Sequence, residues 1–219
     1  AWETVDWSGL DAVFCGLPHG TTQEITAAVL AANPKIKILD MSADFRLRDG
    51  GTYAEWYGHE HQAPELQKEA VYGLTELYRK EITAARLVAC PGCYPTATLL
   101  ALVPIAKAGL IHADDIIVDA KSGVTGAGRG LKQNTLFSEA GEGLSPYSIG
   151  KHRHAPEIEQ EIGVAVGGRV TINFTPHLIP MARGELCTSY VRLNGATADD
   201  LRKALSEAYK DEPFVHVAP

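Results

Sequence analysis

Leu10-Asp11-Ala12-Val13-Phe14-Cys15-Gly16-Leu17, then Thr21-Thr22-Gln23-Glu24, then Ile36-Lys37-Ile38-Leu39-Asp40 decide the fold of the first part of the chain. The first run is short and apolar, as a buried strand requires. Thr21 to Glu24 has capping-box spacing, a hydroxyl at the cap and a carboxylate three residues on. Ile25, Ala28, Val29 and Ala32 follow at helical spacing until Asn33-Pro34 ends the helix. Ile36 to Asp40 reads as the next strand. Strand, helix and strand joined by short links form a βαβ unit, which implies a parallel sheet with helices on its faces.

From Met41 to about Lys80 the pattern becomes irregular, rich in Gly, Tyr, His and charge, and reads as a long functional loop. Arg86 to Cys90 is one more strand, running straight into the turn Pro91-Gly92-Cys93. Thr96 to Lys107 is apolar enough for a buried helix, which Pro104 should kink or end early. Beyond this point the pattern changes. Asp115 to Ala120 and Leu186 to Leu193 read as strands, and Val170, Ile172 and Phe174 alternate with polar neighbours as in a half-buried strand. Thr197 to Tyr209 is an amphipathic helix, and Val215 to Val217 suggests the start of a last strand. Clustered strands with few helices predict an α+β domain with a largely antiparallel sheet, and the boundary falls near Gly92.

The 20 basic against 27 acidic residues give a net charge of −7, which argues against a nucleic-acid or anionic-membrane surface. No apolar run approaches the ~20 residues needed to span a bilayer. The N-terminus lacks the basic and apolar regions of a signal peptide. Cys15, Cys90, Cys93 and Cys187 do not form a disulfide framework, and the expectation is a cytoplasmic protein with free thiols.

Three stretches could carry chemistry. Cys93 sits where a strand hands over to a helix, and the field and free N–H groups of a helix start lower a thiol pKa toward neutrality. The bland alternative is a small buried hydrophobe. Cys90-x-x-Cys93 also has redox or zinc spacing, but no second ligand pair completes a metal site, and none is expected. In Lys151-His152-Arg153-His154-Ala155-Pro156-Glu157, Pro156 and Glu157 suit a helix start. The histidines then precede a positive helix end that favours neutral imidazole, the form that accepts a thiol proton. Structural or solvent-facing histidines are the alternative. Finally, Ser122-Gly123-Val124-Thr125-Gly126-Ala127-Gly128-Arg129-Gly130 could form a backbone nest for a phosphate or carboxylate, or be a flexible loop.

Further segments join these: Gly16-Leu17-Pro18-His19-Gly20, Asp40-Met41-Ser42-Ala43-Asp44-Phe45-Arg46-Leu47, Tyr72-Gly73-Leu74-Thr75-Glu76-Leu77, Pro91-Gly92-Cys93-Tyr94-Pro95-Thr96-Ala97 and Phe174-Thr175-Pro176-His177-Leu178-Ile179-Pro180-Met181-Ala182-Arg183-Gly184. Together, in this order and over nearly the whole chain, they resemble the N-acetyl-γ-glutamyl-phosphate reductases of arginine biosynthesis.

The resemblance implies a thioester mechanism. Cys93 would attack an acyl phosphate and expel inorganic phosphate, and the thioester would be reduced by NADP(H) to a semialdehyde. His152 would be its acid/base partner. Ser122, Gly123, Arg129 and Arg183 would hold substrate anions, and Pro18 and His19 would line the cofactor cleft. Arg46 could be structural, paired with Asp40 or Asp44. The implied architecture is α/β plus α+β. Residues 1–92 would be an incomplete Rossmann-type NADP-binding domain lacking its N-terminal Gly-rich loop. Residues 93–219 would form the catalytic and dimerisation domain, in a homo-oligomer acting on a small molecule. Cys90 stands where the family usually has Asn. Alternatives are a reductase for an aminoadipyl or aspartyl phosphate, a cofactor-free Cys/His acyl hydrolase, and a non-catalytic substrate-binding fragment.

Overall fold

The computed structural model describes residues 2–218 and divides into two compact units, with the division between Gly92 and Cys93. In the first, β1 (Ala12–Cys15), α1 (Thr22–Ala32) and β2 (Lys37–Asp40) form the βαβ unit read from the sequence. The stretch after β2 is not the long loop expected. It folds into α2 (Gly50–Tyr57), α3 (Pro64–Glu69), β3 (Val71–Tyr72) and α4 (Thr75–Ala84). These elements are too short for periodicity to reveal, and their ends carry the signal instead. Asp49 caps α2 through Thr52 N, Gly58 closes it at φ 81°, and Pro64 opens α3. With β4 (Leu87–Ala89), the strands lie in the order β1-β2-β4-β3, every pairing parallel. Val29, Leu30, Ile36, Ile38, Phe45 and Leu87 form the core beneath them.

One local expectation fails instructively. Thr21 stands at the N-cap of α1 but makes no capping hydrogen bond, and its hydroxyl donates to Pro18 O at 2.6 Å instead. The cap comes from Asp44, beyond β2. Its carboxylate accepts from Gly20 N, Thr22 N and the Thr22 hydroxyl, and also from the Tyr53 hydroxyl. A full negative charge at a helix start is a stronger acceptor than a neutral hydroxyl.

The second unit begins with α5 (Cys93–Lys107), which continues three residues past Pro104. Proline removes an N–H and orphans the carbonyl four residues back, that of Leu100. The Tyr209 hydroxyl, from α8 (Ala198–Tyr209), donates to Leu100 O at 2.7 Å and satisfies it. Between these helices lie β5 (Ile116–Gly123), α6 (Phe137–Ala140), β6 (Ser145–Pro146), α7 (His154–Val166), β7 (Ile172–Ile179) and β8 (Glu185–Tyr190). The strand order is β6-β7-β5-β8. Pairings β6–β7 and β5–β8 are antiparallel as expected, whereas β5–β7 is parallel along its whole length, making the sheet mixed. No strand forms over residues 215–217, and the capping box of α8 is present, with Thr197 and Asp200 bonded reciprocally.

Alternation gives this sheet two different faces. Ile116, Val118 and Ala120 of β5, with Ile172, Phe174 and Leu178 of β7, are buried together with Leu99, Leu102, Ile158 and Ile162 from α5 and α7. Each such large aliphatic side chain contributes about 1.5–3 kcal/mol on burial. Ile117, Leu186 and Tyr190 are exposed instead.

Candidate active site

Cys93 is the first residue of α5 and is exposed. Its thiol does not have the depressed pKa that its helix-start position predicts. Although the residue is reached by solvent, neighbouring atoms partly desolvate the sulfur; this, then the charge of Glu185 and a hydrogen bond to that carboxylate, push the thiol up to about 11. Backbone N–H groups of the helix start do pull the other way. They lose because a carboxylate in contact with a thiol favours the protonated sulfur.

Glu185 reaches Cys93 because of strand register. It opens β8 opposite Ser122 of β5, with Cys187 opposite Ala120. Ser122 and Ala120 are buried, so Glu185 and Cys187 take the same phase of the pleat. The carboxylate therefore lies between two thiols, hydrogen-bonded to Cys93 and accepting from Cys187 Sγ at 3.6 Å. Burial pushes Glu185 up, and the two weak thiol donors only partly offset it.

His152 lies two residues before α7 in a cage of rings. Its centroid is 5.7 Å from Tyr94, 5.5 Å from Tyr147, 5.2 Å from Phe174 and 4.8 Å from His154, all edge-on. Burial, with the neighbouring Arg153 charge, lowers its pKa to about 4, so the ring is neutral at pH 7 as expected. The backbone N–H of His154 donates to His152 Nδ1 at 3.2 Å. The ring proton is then on Nε2, which makes Nε2 a donor. Tyr147 Oη donates to Tyr94 Oη at 3.3 Å, and Ser122 is hydrogen-bonded to both tyrosines.

The glycine loop after β5 is not an open nest. The N–H groups of Gly123, Val124 and Thr125 donate to the carbonyls of Gly184, Met181 and Ala182. A Cβ at Gly123 would stand 2.7 Å from Arg183 N, so only glycine permits this approach. The stitching brings Ser122, Gly123 and the Arg183 backbone together, while Arg129 lies exposed farther along the loop. The anion-binding potential that remains there is in the two arginine side chains.

Within the first unit, Pro18 and His19 follow β1 and are exposed, as is Met41 after β2. His19 Nδ1 accepts from Ala43 N at 2.9 Å, which fixes the ring. These residues fit part of a dinucleotide, because ligands of parallel sheets bind beyond the carboxyl ends of the strands. They do not offer a pyrophosphate site at α1, whose leading N–H groups are already bonded to Asp44. Arg46 is buried and donates from Nε to Cys90 O at 2.7 Å and from Nη2 to Met41 O at 3.1 Å. It ties the end of β2 to the segment leading into the Pro91-Gly92 turn.

Sequence reasoning missed Glu185, Tyr94 and Tyr147. Glu185 had a readable signal: extending the strand Leu186–Leu193 back by one residue puts a carboxylate in phase with Cys187. Tyr94 follows Cys93 directly in the sequence, whereas for Tyr147 no such local signal exists.

These features define a class. Residues 2–85 match the NAD-binding domain of semialdehyde dehydrogenases and residues 93–219 match their dimerisation domain. A solved aspartate semialdehyde dehydrogenase II from Vibrio cholerae shares the fold, with a TM-score of 0.68 at 16% identity, covering 94% of this chain and 62% of that one. The chain belongs to the semialdehyde dehydrogenase family, and within it matches the N-acetyl-γ-glutamyl-phosphate reductases at high identity over nearly its whole length. It is 57% identical to that reductase from Rhodospirillum rubrum over 99% of this chain and 62% of the relative. It is also 57% identical to a probable chloroplastic N-acetyl-γ-glutamyl-phosphate reductase from Oryza sativa, over 98% of this chain and 51% of the relative. The chain thus spans about three-fifths or less of the length of these relatives.

Proposed function

We propose that the protein takes part in the NADPH-dependent reduction of N-acetyl-L-glutamyl 5-phosphate to N-acetyl-L-glutamate 5-semialdehyde, with release of phosphate, in arginine biosynthesis. Cys93, at the start of α5 and surrounded by groups that handle protons, is the observation that carries the chemistry. The high identity to reductases named for this substrate supports the choice of acyl chain. Geometry alone would leave a methylene more or less undecided, since that difference is worth only ~1–3 kcal/mol.

Cys93 Sγ attacks the acyl carbon and the bond to the phosphate oxygen breaks, leaving a thioester. Bound NADPH supplies the hydride that reduces this thioester. Pro18 and His19 hold part of that cofactor, and Arg129, Arg183 and Ser122 hold the substrate anions. His152, neutral and carrying its proton on Nε2, donates to the carbonyl oxygen as negative charge develops there. Collapse of the hemithioacetal returns the sulfur of Cys93 and releases the aldehyde.

The second unit also mediates self-association. The exposed Ile117, Leu186 and Tyr190 of its sheet support this, together with the match to a dimerisation domain. Among the described residues no helix is long and apolar enough to cross a membrane, and a chain with four free cysteines suits the reducing cytoplasm. The deciding experiment is NADP reduction by the purified protein in the phosphorolytic direction, with N-acetylglutamate semialdehyde and phosphate. Cys93→Ser should lower turnover by at least about 10⁴-fold; undiminished activity removes the nucleophile.

A further inference from the structure

The outer face of the second sheet carries a polar cluster that takes no part in the catalytic site. Register lays this face out as three rows across β8, β5 and β7: Tyr190, Ile117 and Asn173; Thr188, Asp119 and Thr175; Leu186, Lys121 and His177. Asp119 stands at the centre. Its carboxylate is in contact with Lys121 Nζ, which also donates to Asp119 O at 3.3 Å. His177 Nδ1 donates to Ala120 O at 3.2 Å and lies 3.4 Å from Asp119 Oδ1. That oxygen is buried and accepts no hydrogen bond among the described residues.

The relief of this face inverts the usual order, in which an interface has an apolar centre and a polar rim. Leu186 is 61% exposed and Tyr190 57%, whereas the Lys121 and His177 side chains are 22% and 17% exposed. Apolar groups project, and the charged ones are recessed in a trough that Leu144 also lines. Its charge is inverted too. A chain of net charge −7 repels its own copies on average, but on this face one Lys cancels one Asp. We infer that the Asp119–Lys121–His177 cluster selects the partner of the sheet: a second copy of this chain, docked face to face so that Lys121 of each copy meets Asp119 of the other. The inference rests on the self-association reading above and deepens it, by naming the residues that choose the partner.

Contact between two identical faces is reciprocal: where one residue touches another across a two-fold axis, the second also touches the first. A face with a cation and an anion side by side is therefore complementary to itself, and two cross-copy pairs form with no net charge left over. The hydrogen-bond inventory agrees. Lys121 has three N–H groups, and its two contacts with Asp119 leave one for a partner. His177 uses Nδ1 as a donor, which leaves Nε2 as the acceptor of a neutral ring. The sheet face of another protein would strip the remaining water from Asp119 and Lys121 without returning these contacts, and that loss excludes it. The projecting apolar side chains supply area, and the recessed cluster supplies the choice.

Sedimentation equilibrium of the intact protein, with circular dichroism as the folding control, separates the two readings. Leu186→Asp tests self-association through this face and should dissociate the dimer. A dimer left intact, or a wild-type protein that is monomeric, breaks that parent reading and this inference with it. Lys121→Met tests the cluster alone. It leaves each Asp119 without a cation and should weaken association about a hundredfold. The charge-swapped double variant, Asp119→Lys with Lys121→Asp, keeps both charges on each face and should pair with itself. Mixed with wild type it sets like charges opposite one another, so native mass spectrometry should show two homodimers and few hybrids. An ion pair that only stabilises its own sheet predicts free mixing. Free mixing, or a swapped variant that folds yet stays monomeric, would overturn the inference. So would a folded Lys121→Met variant that is as tightly dimeric as wild type, and this result decides alone should the swapped variant not fold.

Discussion

Asp44 and Glu185 are two carboxylates in different units, and their surroundings push them in opposite directions. Burial raises both. At Asp44 it is outweighed by hydrogen bonds from Gly20 N, the Thr22 and Tyr53 side chains and Thr22 N, which hold the carboxyl below the usual carboxylate range. At Glu185 the donors are two thiols, and the carboxyl stays high. Fully solvated by protein donors, a carboxylate becomes a structural pin that fixes the start of α1. Poorly solvated and set beside two thiols, it holds its proton to a higher pH than a free carboxyl does.

The comparison can be broken first at Asp44. Asp44→Ala orphans buried donors of the α1 start and of Tyr53, and should cost about 3–5 kcal/mol in urea unfolding. Hydrogen exchange should show the loss concentrated in β1, α1 and β2. A cost below about 1 kcal/mol would mean that the helix start finds another cap.

Intermediate in size is the repair of the Pro104 gap. Tyr209→Phe leaves the Leu100 carbonyl without its donor and should cost about 1–2 kcal/mol, read as a lower urea midpoint with unchanged m-value. Water entering to bond that carbonyl would show as a smaller loss.

Smallest is the stability effect of Glu185→Gln. Removing a desolvated charge should leave the second unit within ~1 kcal/mol of wild type at pH 7, or slightly more stable.

The pH slopes sharpen the contrast. Asp44, with its folded pKa below the unfolded ~3.9, contributes stability above that value, and the contribution is lost as pH falls through the lower folded pKa. For Glu185 the folded pKa lies above the unfolded ~4.3. Between those two values the folded form binds the proton first, so lowering the pH through that window stabilises the fold. Acid titration of Asp44→Asn and Glu185→Gln should each remove one of these slopes. Equal effects on both would erase the distinction.

Much of this was legible in the residues themselves. Apolar runs and helical spacing place β1, α1, β2 and α8, alternation places β7, and Pro91-Gly92-Cys93 marks the hand-over to α5. These signals depend on neighbours within a few positions, so a linear reading captures them. The α2 to α4 region reads as a loop because its elements are too short for a period to emerge, and Asp49, Gly58 and Pro64 are the cues that mark their ends. The helix field alone predicts a depressed Cys93 pKa, and desolvation of the sulfur with the nearer charge of Glu185 overrides it.

By itself, then, the sequence determined the βαβ beginning, the turn that presents Cys93, the amphipathic α8 and the presence of a histidine able to remain neutral. Tertiary structure decided which carboxylate caps α1, which hydroxyl repairs the proline gap in α5, and which group meets the Cys93 proton. The cap is 24 residues from the N–H it serves and the repairing hydroxyl 109 residues from its carbonyl. Partners at such separations are selected by strand register and helix packing, and no local pattern of residues encodes them.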